Sequence, residues 1–330
     1  MSRPDRRRPG DWLTTDAESI RKWILNLKDR AAGTGPDDYV VPIRELQTLV
    51  DENPILRAAT EAMFVEAVAY AKDQPTGAPA VTSWHEFLQL LNAIMTIAPE
   101  FIVDKGSDEA QGLVGFPINA ILDWPMGTAS GITVFQDKSF NAGMKGVLTY
   151  WSQFLTSEPS CYVLAENDPG SDPAIIAWLS APARKQMIAV AQQPFPDPPK
   201  GQTLEDIFAV PDPSDPAYLG YTSWDDFFTR VFKEGQRPVG DAVLVNACES
   251  APLQVQTGVE LEDNIWAKGQ PYSLSEMLNR DPLAPEFAGG TVYQAFLSAL
   301  SYHRWHSPVD GTIEKVSTVD GTASHESPSD

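Results

Sequence analysis

Apolar residues recur at helical spacing through most of the first two hundred positions of this chain. Ile20, Trp23, Ile24 and Leu27 fall at i, i+3, i+4 and i+7 behind Thr15 and Glu18, which have the spacing of a capping box, and this predicts an amphipathic helix. Further helices are expected over about 53–73, over 83–95 in SWHEFLQLLNAIM, where Trp84, Phe87, Leu88 and Leu91 share a face behind a Ser83 cap, and over about 139–156 and 173–192. Between Pro194 and Pro216 stand seven prolines mixed with Asp, Gly and Ser around LEDIF, a composition that sustains neither a long helix nor a central strand. In TSWDDFFTRVF, Ser223 can cap a helix whose face carries Trp224, Phe227, Phe228 and Val231. Beyond Pro238 the period changes, and AVLVNA (242–247), LQVQ (253–256), TVYQAFL (291–297) and GTIEKV (311–316) read as short strands of a mostly antiparallel sheet.

The expected fold class is therefore α+β, a helical N-terminal domain followed by an antiparallel β domain that is incomplete at its C-terminal side. The expected divisions are a disordered tail at 1–12, the helical domain at 13–193, a Pro-rich junction at 194–220, a catalytic domain at 221–320 and a polar, disordered end at 321–330.

Composition narrows the function. With 24 Lys and Arg against 45 Asp and Glu, the formal net charge of -21 repels phosphate polymers and anionic lipid, so nucleic acid is not an expected partner. The longest apolar runs, such as AIIAWL at 174–179, are far shorter than the roughly 20 residues a membrane-crossing helix needs, so no membrane span is expected. The start, MSRPDRRRPG, is basic and lacks an apolar core segment, so it does not read as a secretory signal, and the protein is expected in the cytoplasm. Cys161 and Cys248 lie far apart among apolar residues, as two reduced, buried thiols would.

Four histidines are present, and two of them, His303 and His306, stand three positions apart in SYHRWHSPVDG. Their chemistry is open on spacing alone. A metal would need further ligands, and no other His or Cys lies nearby, so no metal site is expected. Two rings hydrogen-bonded within a polar core are a second reading. Acid–base work is the third, since imidazole titrates near pH 6.5 and can both give and take a proton at neutral pH. His85 sits beside Glu86 on the flank of a helix and His325 in the polar end, and neither is assigned a role.

Three segments, in order, carry a resemblance. WDDFFTRVFKEGQRP resembles the FFxR…RP signature of the phosphatidylserine decarboxylase family of pyruvoyl enzymes. KGQPYSLSEML (268–278) resembles its KG…YSL…LL segment, and SYHRWHSPVDGTI its YHRxHxPxxG core. The resemblance covers residues 221 to about 316. The helical first half, the ACES at 247–250 and the RWH variant are most similar to the soluble branch that includes fungal tryptophan and other aromatic amino acid decarboxylases.

That resemblance implies a particular chemistry. Such enzymes are self-processed: a serine in a Gly-Ser motif attacks the peptide carbonyl before it, the chain splits, and the serine becomes an N-terminal pyruvoyl group. That covalent pyruvate forms a Schiff base with the substrate amine and accepts the electrons released with carbon dioxide. By position His303 would be the proton donor of decarboxylation and His306 the base of self-processing. The family's third member is an Asp in a PADG-like turn, and the matching segment here is Ala247-Cys248-Glu249-Ser250, with Glu249 in the carboxylate's place and one methylene longer.

One departure is larger. The family's Gly-Ser motif lies about a hundred residues past the YHRxH segment, whereas 24 residues follow His306 here, and none of Gly106-Ser107, Ser130-Gly131 or Gly170-Ser171 stands on the right side of the histidines. The expectation is therefore a portion of an amino-acid decarboxylase, inactive alone, whose partners are a small amino acid and the missing C-terminal segment of the same enzyme. Two alternatives compete: a phosphatidylserine decarboxylase of phospholipid biosynthesis, which shares every motif, and an interaction protein that kept the fold and lost catalysis.

Overall fold

The computed structural model describes residues 17–71, 81–103, 117–165, 175–267 and 270–319. The expected tail, Thr15, Gly106-Ser107, Gly170-Ser171, Lys268-Gly269, His325 and the polar end lie outside them. Within the described residues the chain forms two compact units. One comprises residues up to 184 together with 211–227, and the other comprises 185–210 together with 228–319.

Helices build the first unit: α1 (Ala17–Ala31), α2 (Val41–Glu52), α3 (Pro54–Ala71), α4 (Trp84–Ile94), then β1 (Phe101–Ile102), α5 (Pro117–Met126), α6 (Ala129–Gln136), α7 (Lys138–Leu155) and β2 (Ile175–Ile176). The amphipathic faces read from the sequence are the faces that meet. Trp23, Ile24 and Leu27 of α1, Ile43, Leu46 and Val50 of α2, and Phe87, Leu88 and Leu91 of α4 are buried in one apolar cluster. The starts are fixed by side-chain caps: Ser83 Oγ accepts from the Glu86 amide at 3.1 Å, Thr128 Oγ1 from Gly131 at 2.9 Å and Asp137 Oδ1 from Phe140 at 2.9 Å. Gly131 is required where α6 turns off α5, because a Cβ there would lie 2.2 Å from the Pro125 carbonyl oxygen.

The expected helix over 173–192 is shorter. Ile175 and Ile176 pair antiparallel with Ile102 and Phe101, and helix α8 (Ala181–Gln192) begins only afterwards, with Pro182 in its first turn. Two β-branched residues next to an available partner strand prevail over the helical period there. Around this junction an aromatic cluster closes the first unit: Trp178 is fully buried, edge-on to Phe101 at 4.9 Å, 4.7 Å from Trp224 and 5.8 Å from Phe227, with its indole N–H donated to the Pro99 carbonyl at 2.8 Å.

The second unit is smaller and largely strand and loop. Its elements are the end of α8, α9 (Leu204–Ile207), the end of α10 (Trp224–Phe228), β3 (Ala251–Thr257), β4 (Ile265–Ala267), β5 (Gln270–Tyr272), α11 (Leu274–Met277) and β6 (Thr291–Phe296). β3 pairs antiparallel with β6, with an irregularity between Pro252 and Gln254, and β4 pairs antiparallel with β5. The α+β class and the antiparallel pairing are as expected; LQVQ lies in β3, and β6 takes TVYQAF and stops before Leu297.

Two expected strands are absent. Residues 242–247 are irregular: the Val245 amide bonds to the Pro308 carbonyl at 2.9 Å, but Pro308 has no N–H to return, so no ladder extends. Residues 311–316 are also irregular, and Ile313 and Val316 are more than 80% exposed with no neighbouring strand among the described residues. Helix α10 stops at Phe228, which leaves Val231 outside it and 41% exposed.

Candidate functional site

All three candidate residues, His303, His306 and Glu249, lie in the second unit, and two short backbone contacts draw their segments together. The His306 amide donates to the Ala247 carbonyl at 2.9 Å, and Cys248 faces Trp305 in an antiparallel bridge. This places the Ala247–Ser250 segment directly beside the Arg304–His306 segment, which sequence separation alone cannot show.

Phe228, the last residue of α10, and the two residues after it meet the segment 300–304 at three points. The Phe228 ring lies on the His303 ring with centroids 3.9 Å apart and planes 24° apart. The Thr229 carbonyl accepts from Arg304 Nε at 2.6 Å, and Arg230 Nη2 donates to the carbonyls of Leu300 at 2.9 Å and Ser301 at 3.3 Å. Two of the three sequence motifs are thus parts of one contact.

His303 is half-buried, and its Nε2 is fully covered with no hydrogen-bond partner among the described residues. Its pKa is lowered from 6.5: burial does most, hydrogen bonding to the Ala299 and Ser298 backbone opposes it, and the Arg230 charge adds to the lowering.

His306 is exposed and lines a cavity of about 540 Å³ together with Glu249, Cys248, Arg237, Tyr302 and Phe232. His303 is not among the described residues of that wall, so the two imidazoles face different surroundings. The Glu249 carboxylate is half-buried and meets Arg237 Nη2 at 2.6 Å, an ionic contact off the line of a good hydrogen bond. Burial raises its pKa, and the charges of Arg237 and Arg230 work against that rise. Glu249 shares the cavity with His306, and its ion-pair partner is Arg237.

Arg237 and Arg230 belong to a column of rings and cations that sequence reading did not anticipate. The Arg237 guanidinium lies 5.0 Å from the Phe195 centroid and 4.8 Å from that of Phe232. Phe232 stacks on Phe208 at 4.8 Å and 14°, and Arg230 covers Phe208 at 4.7 Å. Arg237 Nη2 also donates to the Ala191 carbonyl at 2.5 Å. Phe195 and Phe208 sit in the Pro-rich stretch, where the one available signal was a large aromatic among turn formers. Both cysteines are free; Cys161 is buried, its thiol pushed up to about 11 by burial and nearby carboxylates, and Cys248 is half-buried. Among the described residues no group of three or more His, Cys, Asp or Glu is arranged to hold a metal, and no helix is long and apolar enough to cross a membrane.

With this geometry in hand, comparison with known proteins is specific. Residues 40–187 and residues 224–329 each match a family model described as phosphatidylserine decarboxylase. The L-tryptophan decarboxylase of Psilocybe cyanescens is 32% identical over 329 residues, covering 97% of this chain and 68% of that protein. The decarboxylase iboD of Amanita muscaria (strain Koide BX008) is 36% identical over 240 residues, 71% of this chain and 64% of that protein. A phosphatidylserine decarboxylase proenzyme of Pseudoalteromonas translucida (strain TAC 125) is 40% identical over 111 residues, 32% of this chain and 37% of that protein. The chain thus spans about two thirds of the length of the two fungal relatives.

Proposed function

This chain belongs to the phosphatidylserine decarboxylase family, and we propose that it supplies the acid–base residues of a carboxy-lyase acting on a free amino acid, tryptophan or a similar aromatic one. The observation that carries this reading is coverage. The alignment with the L-tryptophan decarboxylase of Psilocybe cyanescens runs over 97% of the chain, whereas that with the phosphatidylserine decarboxylase proenzyme of Pseudoalteromonas translucida covers 32% of it. An overall charge of -21 also favours a small free substrate over one embedded in an anionic bilayer, and we place the reaction in the cytoplasm.

The cofactor implied by the family is a covalent pyruvoyl group, which would accept the electron pair released with carbon dioxide. No Gly-Ser step follows His306 in these 330 residues, so in this reading the serine that becomes the group is supplied from outside them, by a further segment of the same enzyme. One feature of the site suits such a group: the covered, unpartnered Nε2 of His303 is a proton acceptor and donor with nothing of its own to bond. His303, neutral at rest, takes up a proton at Nε2 and returns it to the carbon that lost carbon dioxide. His306, exposed on the cavity wall, takes the serine proton during self-processing, with Glu249 beside it and held by Arg237. Residues 221–320 are the catalytic domain of this scheme.

The test is a decarboxylase assay on the longest reading frame that contains this chain, offering free tryptophan in one arm and phosphatidylserine liposomes in the other. Carbon dioxide from tryptophan alone is expected. Release from the liposomes alone would replace the substrate assignment with that of the lipid enzyme, and release from neither would favour an interaction protein.

A further inference from the structure

Trp305 is 82% exposed, more than any other large aromatic side chain among the described residues. Its backbone, by contrast, is held on both sides. Cys248 faces it in an antiparallel bridge, the His306 amide after it donates to the Ala247 carbonyl at 2.9 Å, and Arg304 Nε before it donates to the Thr229 carbonyl at 2.6 Å. A tryptophan carries one of the largest apolar surfaces of any side chain, and leaving it in water forgoes the gain of burying it.

The cavity beside this segment gives its side-chain directions. Tyr302, Arg304 and His306 line it, whereas His303 and Trp305 are not among its described lining residues. That is the alternation of an extended chain, in which neighbouring residues point to opposite sides and residues two apart share one. His303 and Trp305 therefore share the face turned away from the cavity, with backbone positions about 6.6 Å apart at about 3.3 Å per residue. Tyr302, the other aromatic of the segment, is engaged with the Phe232 ring at 4.3 Å.

We propose that Trp305 is a specificity-determining residue: its indole is the surface on which the aromatic ring of the substrate stacks while the substrate's α-carbon stands at His303. The inference rests on the reading of His303 as the proton-transfer residue, and it adds the contact that selects an aromatic side chain. In an aromatic amino acid one methylene separates the α-carbon from the ring, so a ring lying against Trp305 keeps the α-carbon within reach of the imidazole two residues back. Aromatic pairs favour offset or edge-on arrangements with centroids about 4.5–7 Å apart, which an exposed indole admits. An aliphatic side chain on the same surface gains burial but not the pairing.

The test is steady-state kinetics with tryptophan on the longest reading frame that contains this chain, comparing the parent with Trp305→Ala, Trp305→Leu and Trp305→Phe. Rates are expressed per mole of reactive carbonyl, which removes differences in folding or self-processing. Trp305→Ala and Trp305→Leu should raise KM about tenfold and leave kcat within about twofold, the signature of a contact made equally in the bound substrate and the transition state. Trp305→Phe, which keeps a ring, should stay within about threefold of the parent. A parent-like KM in Trp305→Ala, or a fall confined to kcat, would overturn the proposal. So would a Trp305→Phe as poor as Trp305→Leu, since the side chain would then act as apolar cover and not as a stacking partner. Absence of reactive carbonyl from all three variants would overturn it too, by making Trp305 part of folding or processing. The functional reading fails separately: a parent that releases no carbon dioxide from any aromatic amino acid would end it before any variant is compared.

Discussion

Phe228 lies against His303 with ring centroids 3.9 Å apart, so the last residue of helix α10 is one wall of the candidate proton-transfer residue. Seventy-five residues separate the two in sequence, and each belongs to a different motif of the family resemblance. The contact explains why the two motifs belong together: one presents the imidazole and the other covers it.

A first prediction concerns pH. His303 should titrate below 6.5 in the folded chain, and Phe228→Ala, which lets water reach the ring, should move it upward. The lowered folded value means that the unfolded chain binds more protons between the folded pKa and about 6.5, so stability rises with pH across that window. His303→Gln should flatten this slope. Proton NMR of the imidazole and urea unfolding at a series of pH values read the two effects.

The Arg237–Glu249 pair should be coupled. Both side chains are about one-fifth exposed, between the regimes of surface and buried pairs, so a double-mutant cycle should give about 1–2 kcal/mol. Arg237→Gln should also raise the Glu249 carboxyl further above its ordinary range, because it removes a charge that opposes the effect of burial. Carbon-13 NMR of the carboxyl checks the second outcome.

Trp178 ties together Phe101, Trp224 and Phe227, and it is fully buried. Trp178→Ala should cost about 3–5 kcal/mol, from lost burial and the cavity left behind. Trp178→Phe should cost less but leave the Pro99 carbonyl without its indole donor. Denaturant melts followed by tryptophan fluorescence in the parent, and by circular dichroism in the variants, would show both.

Much of the first unit was legible because its helices are amphipathic and carry their own caps; Ser83 and the stripe Trp84, Phe87, Leu88 and Leu91 needed no tertiary information. Where the sequence misled, a partner decided. Ile175 and Ile176 leave the helical pattern because Phe101 and Ile102 are there to pair with, and residues 242–247 fail as a strand because Pro308 cannot complete the ladder. At the site, residue types and motif order pointed to His303, His306 and Glu249. The environment of each was not legible, since the covered Nε2 of His303, the exposure of His306 and the pairing of Glu249 with Arg237 all arise from contacts distant in sequence. Phe195 and Phe208 were invisible for the same reason, because an aromatic in a Pro-rich stretch has no periodicity to mark its side.

In the proposed scheme His303 moves the proton in decarboxylation, and everything else at the site serves or precedes that step. The decisive quantity is the turnover of His303→Ala, per mole of reactive carbonyl, in the longest reading frame that contains this chain, with tryptophan as substrate. A fall of about 10² to 10⁴-fold is expected, the usual contribution of a positioned proton-transfer group, while the carbonyl content stays near that of the parent. Turnover equal to the parent's at equal carbonyl content would contradict the assignment.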